Sequence, residues 1–285
     1  MVSQKYVALR KAVLASKARQ LQLSEKTHLS QRVNILDVAI DNFSTEEFLN
    51  RLRRGVVFTP NVDHLMKLRK DPKFVKAYQK ADFRVCDSQI LMYAAKFLGT
   101  PIKAKISGSD LFPMFCEHHR DNEDIKIFVL GGASHVPERA QQNINDRVGR
   151  EIIVAAHSPS FGFEKDKEEC QKILEMIRQS SANVLVVGVG SPKQEKWIAK
   201  YCDQLPNIDI FMGVGAAIDF EAGNKPRAPK MLSYLGLEWL YRLASEPRRL
   251  WKRYLLQDTP FVWLLLKQLL KQKFNEVMPP RPTPT

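Results

Sequence analysis

Asp87, in the run ADFRVCDSQ, stands between an apolar stretch and a helix-like one. Open α/β sheets hold their ligands outside the carboxyl ends of their strands, and a carboxylate there can act as a general base. The same position suits a plain helix cap, and the residues leave both roles open. The run VVFTPNVDHL puts Thr59 and Asn61 at another such strand end, where Thr-Pro-Asn also reads as an ordinary turn with Asn61 as a cap.

A third run, VVGVGSPKQEKW, has the chemistry of anion binding. Gly188 and Gly190 let the backbone approach a ligand, and the following helix offers free N–H groups and the positive end of its dipole to phosphate. Ser191 suits the cap, with Pro192 in the first turn. Lys193, Gln194 and Glu195 then crowd polar groups close to any phosphate or ribose. The third glycine of a dinucleotide fingerprint is missing, which counts against NAD and a nucleotide-dependent oxidoreductase. Two further glycine turns follow the same logic: Gly108 and Ser109 in KISGSDL, where Asp110 suits a helix cap, and GVGAAIDF with Asp219 beyond it.

Such side chains need a scaffold that gathers strand ends along one edge. From Arg32 onward, β-branched runs (33–40, 56–60, 82–86, 125–131, 151–156, 183–189, 208–214) alternate with amphipathic stretches (44–54, 62–70, 88–98, 109–120, 135–148, 165–180, 192–204). This alternation predicts a Rossmann-like, mostly parallel sheet with helices on both faces over 31–228. Runs such as IKIFVLGG lack polar alternation, as strands covered on both sides do.

Beyond Gly215 the pattern turns helical only. Pro229, Pro247 and Pro260 each fit a first helical position, which predicts basic amphipathic helices over 229–245, 247–257 and 260–274. This C-terminal basic appendage, 229–275, mixes Trp239, Tyr241 and Trp251 with Arg242, Arg248, Arg249 and Arg253. Guanidinium forks bind phosphate, and aromatic rings settle at lipid–water boundaries. On a helix Arg249 and Arg253 share a face while Trp251 points elsewhere. Residues 1–30 read as a basic helical arm and 276–285 as a disordered tail.

The 285 residues carry a formal net charge of +13. Residues 1–30 hold six Lys/Arg against one acid and 225–285 hold twelve against four, so the centre is neutral. Basic ends on a neutral body suit an anionic membrane surface better than a nucleic acid. No apolar stretch approaches the roughly 20 residues a spanning helix needs, and no secretory leader is visible. Cys86, Cys116, Cys170 and Cys202 lie far apart without a CxxC pair and read as reduced thiols. The six histidines have no metal-ligand spacing, so no metal and no cofactor is expected. Nothing in the residues decides between a monomer and a homo-oligomer.

In their order, GVGSPKQEKWI, GVGAAIDFEAGNKPRAPK and LGLEWLYRLASEPRRLWKRYL resemble the WecG/TagA/CpsF glycosyltransferase family, from about Val33 to Tyr254. The resemblance implies transfer of an N-acetylmannosamine-type sugar or its uronic acid from a UDP-sugar to a prenyl-diphosphate-linked saccharide. It also implies peripheral attachment at the cytoplasmic face of the membrane, in cell-surface polysaccharide assembly. By motif it makes Asp87 the catalytic base and places Thr59 and Asn61 at the floor of the site. Gly190, Gln194 and Asp219 then hold the nucleotide, and Arg242, Arg249 and Arg253 close over the site. The chain departs from the family pattern in Ser88, where glycine is usual, and in Lys105, where arginine is frequent.

Overall fold

The structure, a computed structural model, describes residues 32–277, without the side chains of Lys230, Tyr234, Arg249 and 275–277. The basic arm expected over 1–30 lies outside the described residues, as does the expected tail beyond 277.

The first apolar run is a hairpin rather than one strand. Strands β1 (Arg32–Ile35) and β2 (Val38–Asp41) pair antiparallel across Leu36 and Asp37. Those two residues take φ 49° and 68°, the left-handed conformations that a two-residue hairpin turn demands. Leu36 is buried in this turn beside the exposed Asp37, so the reversal still contributes an apolar side chain to the core.

The main sheet comprises β3 (Gly55–Phe58), β4 (Phe83–Arg84), β5 (Ile127–Gly131), β6 (Ile153–His157), β7 (Val184–Gly188) and β8 (Ile210–Gly213). All its pairings are parallel, in the order β4-β3-β8-β7-β5-β6. Seven helices flank or connect the strands up to β7: α1 (Thr45–Arg51), α2 (Val62–Leu68), α3 (Pro72–Gln79), α4 (Gln89–Phe97), α5 (Gly108–His118), α6 (Val136–Val148) and α7 (Lys167–Gln179). Then α8 (Lys193–Tyr201) joins β7 to β8, and α9 (Ala217–Glu221) follows β8. The α/β class predicted from the alternation is the observed one. Alternate residues of the central strands feed two apolar clusters, with Val184 and Val186 in one and Leu185 and Val187 in the other. That two-sided burial explains the unbroken apolar runs.

Helix α3 was not foreseen. Its start is legible in retrospect: Asp71 caps the N–H groups of Lys73 and Phe74, and Pro72 occupies the first turn.

The C-terminal segment holds α10 (Lys230–Tyr234), α11 (Glu238–Ser245), α12 (Pro247–Lys252), a π-helical turn (Arg253–Gln257) and α13 (Pro260–Val277). The helix expected over 229–245 is thus two helices. Gly236 breaks it at φ 73°, in a place where a Cβ would lie 3.2 Å from the Tyr93 ring. The segment is packed onto the body: Phe261 is buried in a third cluster with Val33, Ile35 and Leu91. On α13, Gln268 accepts the Leu36 N–H at 2.8 Å and donates to the Asn34 carbonyl at 3.1 Å. Gln268→Ala removes both bonds from a half-exposed position. It should lower unfolding free energy by about 1 kcal/mol, read as an earlier urea midpoint at unchanged m-value. An unchanged midpoint would show that these bonds merely replace bonds to water.

Candidate active site

The chain leaves β5 toward β6 on one side and leaves β7 toward β8 on the other. Such a switch point opens a crevice beyond the carboxyl ends of the strands. A cavity of about 340 Å³ lies there, walled by Gly132 after β5, by Gly188 and Gly190 after β7, and by Gly215 and Asp219 after β8. Gly188 admits no side chain, because a Cβ would lie 2.5 Å from Ile218 Cδ1 and 2.7 Å from the Gly215 carbonyl oxygen. Gly190 faces open space but holds φ 85°, a conformation few side chains tolerate. Lys193 also lines this cavity, its Nζ 4.6 Å from the ring centre of the fully exposed Phe161 and 3.5 Å from Glu164.

Gln194 and Glu195 lie behind this wall rather than in it; both are buried. The Gln194 Oε1 accepts the N–H of Gly190 at 3.2 Å and of Gly215 at 3.1 Å, tying the two glycine turns together. Its Nε2 donates to Glu195 Oε1 at 2.7 Å. Burial pushes the Glu195 carboxyl up to about 7 and the neighbouring His64 down to about 3. His64 Nε2 stands 3.8 Å from Glu195, and its Nδ1 meets the Tyr78 hydroxyl at 2.5 Å. Ser191 does not cap α8: Pro192 holds the cap position without a side-chain bond, outside the residues that wall the cavity. Gly108 serves packing, since a Cβ there would lie 2.9 Å from the Val214 backbone, and it lines neither cavity.

A second cavity, of about 420 Å³, lies at the ends of β3 and β4. The body supplies Asn61, Asp87, Ser88 and Lys105; the C-terminal segment supplies Glu238, Trp239, Arg242, Arg253 and Tyr254. Ser88 takes the helix cap by accepting the Leu91 N–H, which leaves the Asp87 carboxylate free to face the cavity. Asn61 has both of its readings at once. Its Oδ1 caps α2 through the His64 N–H at 3.1 Å, and its Nδ2 donates to Asp87 Oδ2 at 3.3 Å. Thr59 is buried at the end of β3 and lines neither cavity. Burial raises Asp87 to about 7; Arg242 pulls it down and Glu238 pushes it further up.

Two of the four expected arginines reach this cavity. Arg242 donates to Glu238 Oε1, and Arg253 Nε sits 3.6 Å from Asp63 and 3.8 Å from Asp258. Arg248 is exposed and does not line it, and the Arg249 side chain lies outside the described residues. Arg253 falls in the π-helical turn, so the straight-helix spacing that paired it with Arg249 does not apply. Two links run between the surroundings of the two cavities. Lys225 lines the first and reaches Glu246 before α12 at 3.2 Å; Lys67 bonds the Ser191 carbonyl at 3.3 Å and Asp63 at 2.6 Å. Among the described residues, no group of three His, Cys, Asp or Glu is placed to hold a metal ion.

Residues 33–275 match the model of the glycosyl transferase WecG/TagA/CpsF family. The chain belongs to this family. It is therefore a glycosyltransferase, with the lipid-linked envelope-polysaccharide chemistry of its family as context. One relative, from Bacillus spizizenii, is 30% identical over 221 residues, covering 77% of this chain and 82% of the relative. That protein is an N-acetylglucosaminyldiphosphoundecaprenol N-acetyl-beta-D-mannosaminyltransferase. In this family member, no described helix is long and apolar enough to cross a membrane. Sequence reasoning overlooked Glu238, Trp239 and Tyr254 as cavity residues and Phe161 as a rim residue. A phenylalanine amid Ser, Pro and Gly was a usable signal, because a loop has no core to bury it.

Proposed function

We propose that this glycosyltransferase moves an N-acetylmannosamine-type sugar, or its uronic acid, from a UDP-sugar to an undecaprenyl-diphosphate-linked saccharide. The nucleotide occupies the switch-point crevice and the acceptor the cavity under the C-terminal segment. The observation that carries this reading is Asp87: a carboxylate raised to about 7 at the cavity wall, bonded by Asn61 and flanked by Arg242 and Lys105.

The acceptor hydroxyl attacks the anomeric carbon as Asp87 takes its proton, and the bond from that carbon to the UDP oxygen breaks on the opposite face. Inversion of an α-linked donor yields a β product, the linkage in the relative's name. The leaving diphosphate gains negative charge. Backbone N–H groups beyond Gly190 with the cations of the chain stabilise it without a metal.

Peripheral attachment to the inner face of the membrane completes the reading. Trp263, Leu266, Leu270 and Phe274 are largely exposed on α13 and interleave with Lys267 and Lys271. Apolar side chains bordered by lysines favour an anionic interface.

Incubating the full chain with UDP-N-acetylmannosamine, or its uronic acid, and a prenyl-diphosphate N-acetylglucosamine in anionic vesicles should give UDP and a lipid product heavier by one sugar residue. Failure with both donors at complete acceptor incorporation would remove this donor class.

A further inference from the structure

Among the described residues, four carboxylates line the acceptor-side cavity, Asp63, Asp87, Glu238 and Asp258, and two of them, Asp87 and Glu238, are treated differently by Arg242 and Lys105. Glu238 takes both. Its Oε1 accepts from Arg242 Nη2, its Oε2 lies 3.7 Å from Lys105 Nζ, and Ser233 Oγ reaches the same Oε2 at 3.4 Å. The hydrogen bond to the Asp87 side chain comes from the neutral Asn61 amide. Both acids could compete for the same guanidinium, since Arg242 feels the charge of each. In the folded chain Glu238 wins, because it sits one turn before Arg242 on α11, at the i,i+4 spacing that suits an ion pair.

That outcome matters for a base. A carboxylate locked into a fork by an arginine has its lone pairs occupied and its proton affinity lowered. A carboxylate beside an arginine that is engaged elsewhere keeps its lone pairs and feels only the longer-range charge.

We propose that Glu238 is a positioning residue of the transfer reaction: by holding Arg242 and Lys105 in ion pairs it keeps both cations from bonding Asp87 directly, and that carboxylate stays free to accept the acceptor's proton. The inference rests on the reading of Asp87 as the base. The charged and titratable groups acting on Asp87 are Arg242 and Glu238 from α11, Lys105 from the loop before α5, and Tyr78 and Cys86 buried nearby; Asp63 from α2 and Arg253, Tyr254 and Asp258 from the C-terminal segment line the same cavity. Arg242 and Lys105 lower the Asp87 carboxyl, and Glu238 raises it. Loss of the Glu238 charge therefore has a predictable sign: Asp87 becomes a weaker base, ionised to lower pH.

The test is the pH profile of kcat/KM for sugar transfer by the full chain in acceptor-bearing vesicles, with Glu238→Gln, Glu238→Asp and Asp87→Asn beside wild type. Glu238→Gln should move the acid limb to lower pH and reduce the plateau on the order of tenfold, the loss expected when a general base is weakened rather than removed. Glu238→Asp keeps the charge, so its acid limb should coincide with wild type even if its plateau falls. A merely structural role would lower both variants together and leave the limb in place, and that result overturns the proposal. So does a Glu238→Gln profile that superimposes on wild type. If Glu238→Gln unfolds, measured by its thermal melt, the comparison passes to Arg242→Gln. Without its guanidinium Asp87 should titrate higher, and an unmoved limb there sinks the idea equally. Asp87→Asn separates the two failures: substantial activity in that variant removes the base assignment itself, whatever Glu238 does.

Discussion

Replacing Asp87 with Asn should reduce kcat for sugar transfer by roughly 10²–10⁴-fold, the usual contribution of a positioned general base. The variant is nearly isosteric and keeps an oxygen that can accept from the Asn61 amide, so cavity shape and thermal stability should barely change. What it loses is the ability to take a proton. UDP binding, placed in the other cavity, should stay within about twofold of wild type, a difference well under 1 kcal/mol. In wild type the acid limb should follow the Asp87 carboxyl, held at about 7 by burial. Only the ionised form is a base, so activity is present above that value and falls as pH drops through it. Transfer by Asp87→Asn within about threefold of wild type would take this carboxylate out of the mechanism, since no general base is worth so little.

The parts of this enzyme visible in its sequence are those where one physical demand dominates. Val184–Gly188 is buried on both faces and therefore reads as an unbroken apolar run; the glycines that end it mark the crevice. Asp87 and Asn61 stand out as polar residues at strand ends, but a helix cap or a turn accounts for them as well, and only the resemblance singles out a role for each. Where two demands compete, the chain is opaque. The hairpin at Leu36 and Asp37 carries neither glycine nor asparagine, and the left-handed turn is tolerated because Leu36 gains burial there. The roles of Gln194 and Glu195 were misplaced by one layer. Polar residues in a first helical turn normally face solvent or ligand, and nothing local reveals that these two are sealed behind the glycine turns. Glu238 was hidden for the opposite reason. Set among the aromatic and basic residues of its segment it reads as an ordinary helix-surface acid, until the break at Gly236 brings α11 across the cavity.

Gln194→Leu should weaken UDP binding by on the order of 10- to 100-fold while leaving the fold intact. The side chains have similar volume, so packing behind the wall is preserved. The loss is an acceptor shared by two backbone donors, Gly190 and Gly215, together with the amide that donates to Glu195. Each buried N–H left without a partner costs about 1–3 kcal/mol. Part of this is recovered because both turns border an open cavity and water can reach them. The remainder should appear as movement of the turns apart, hence lost donor affinity and a higher KM for the UDP-sugar. Gln194→Glu offers a sharper test. A carboxylate can accept both N–H groups, but it must then sit beside Glu195, whose carboxyl burial already raises to about 7. Two adjacent buried acids are tolerated when they share one proton and repel when both are ionised. The Glu variant should therefore bind UDP much as wild type does at pH 6 and progressively worse toward pH 8, where the shared proton is lost. Calorimetric titration of UDP at both values checks this. Equal affinity for all three proteins across that range would mean the two turns hold their positions without the glutamine, and that the crevice owes its shape to Gly188 packing alone.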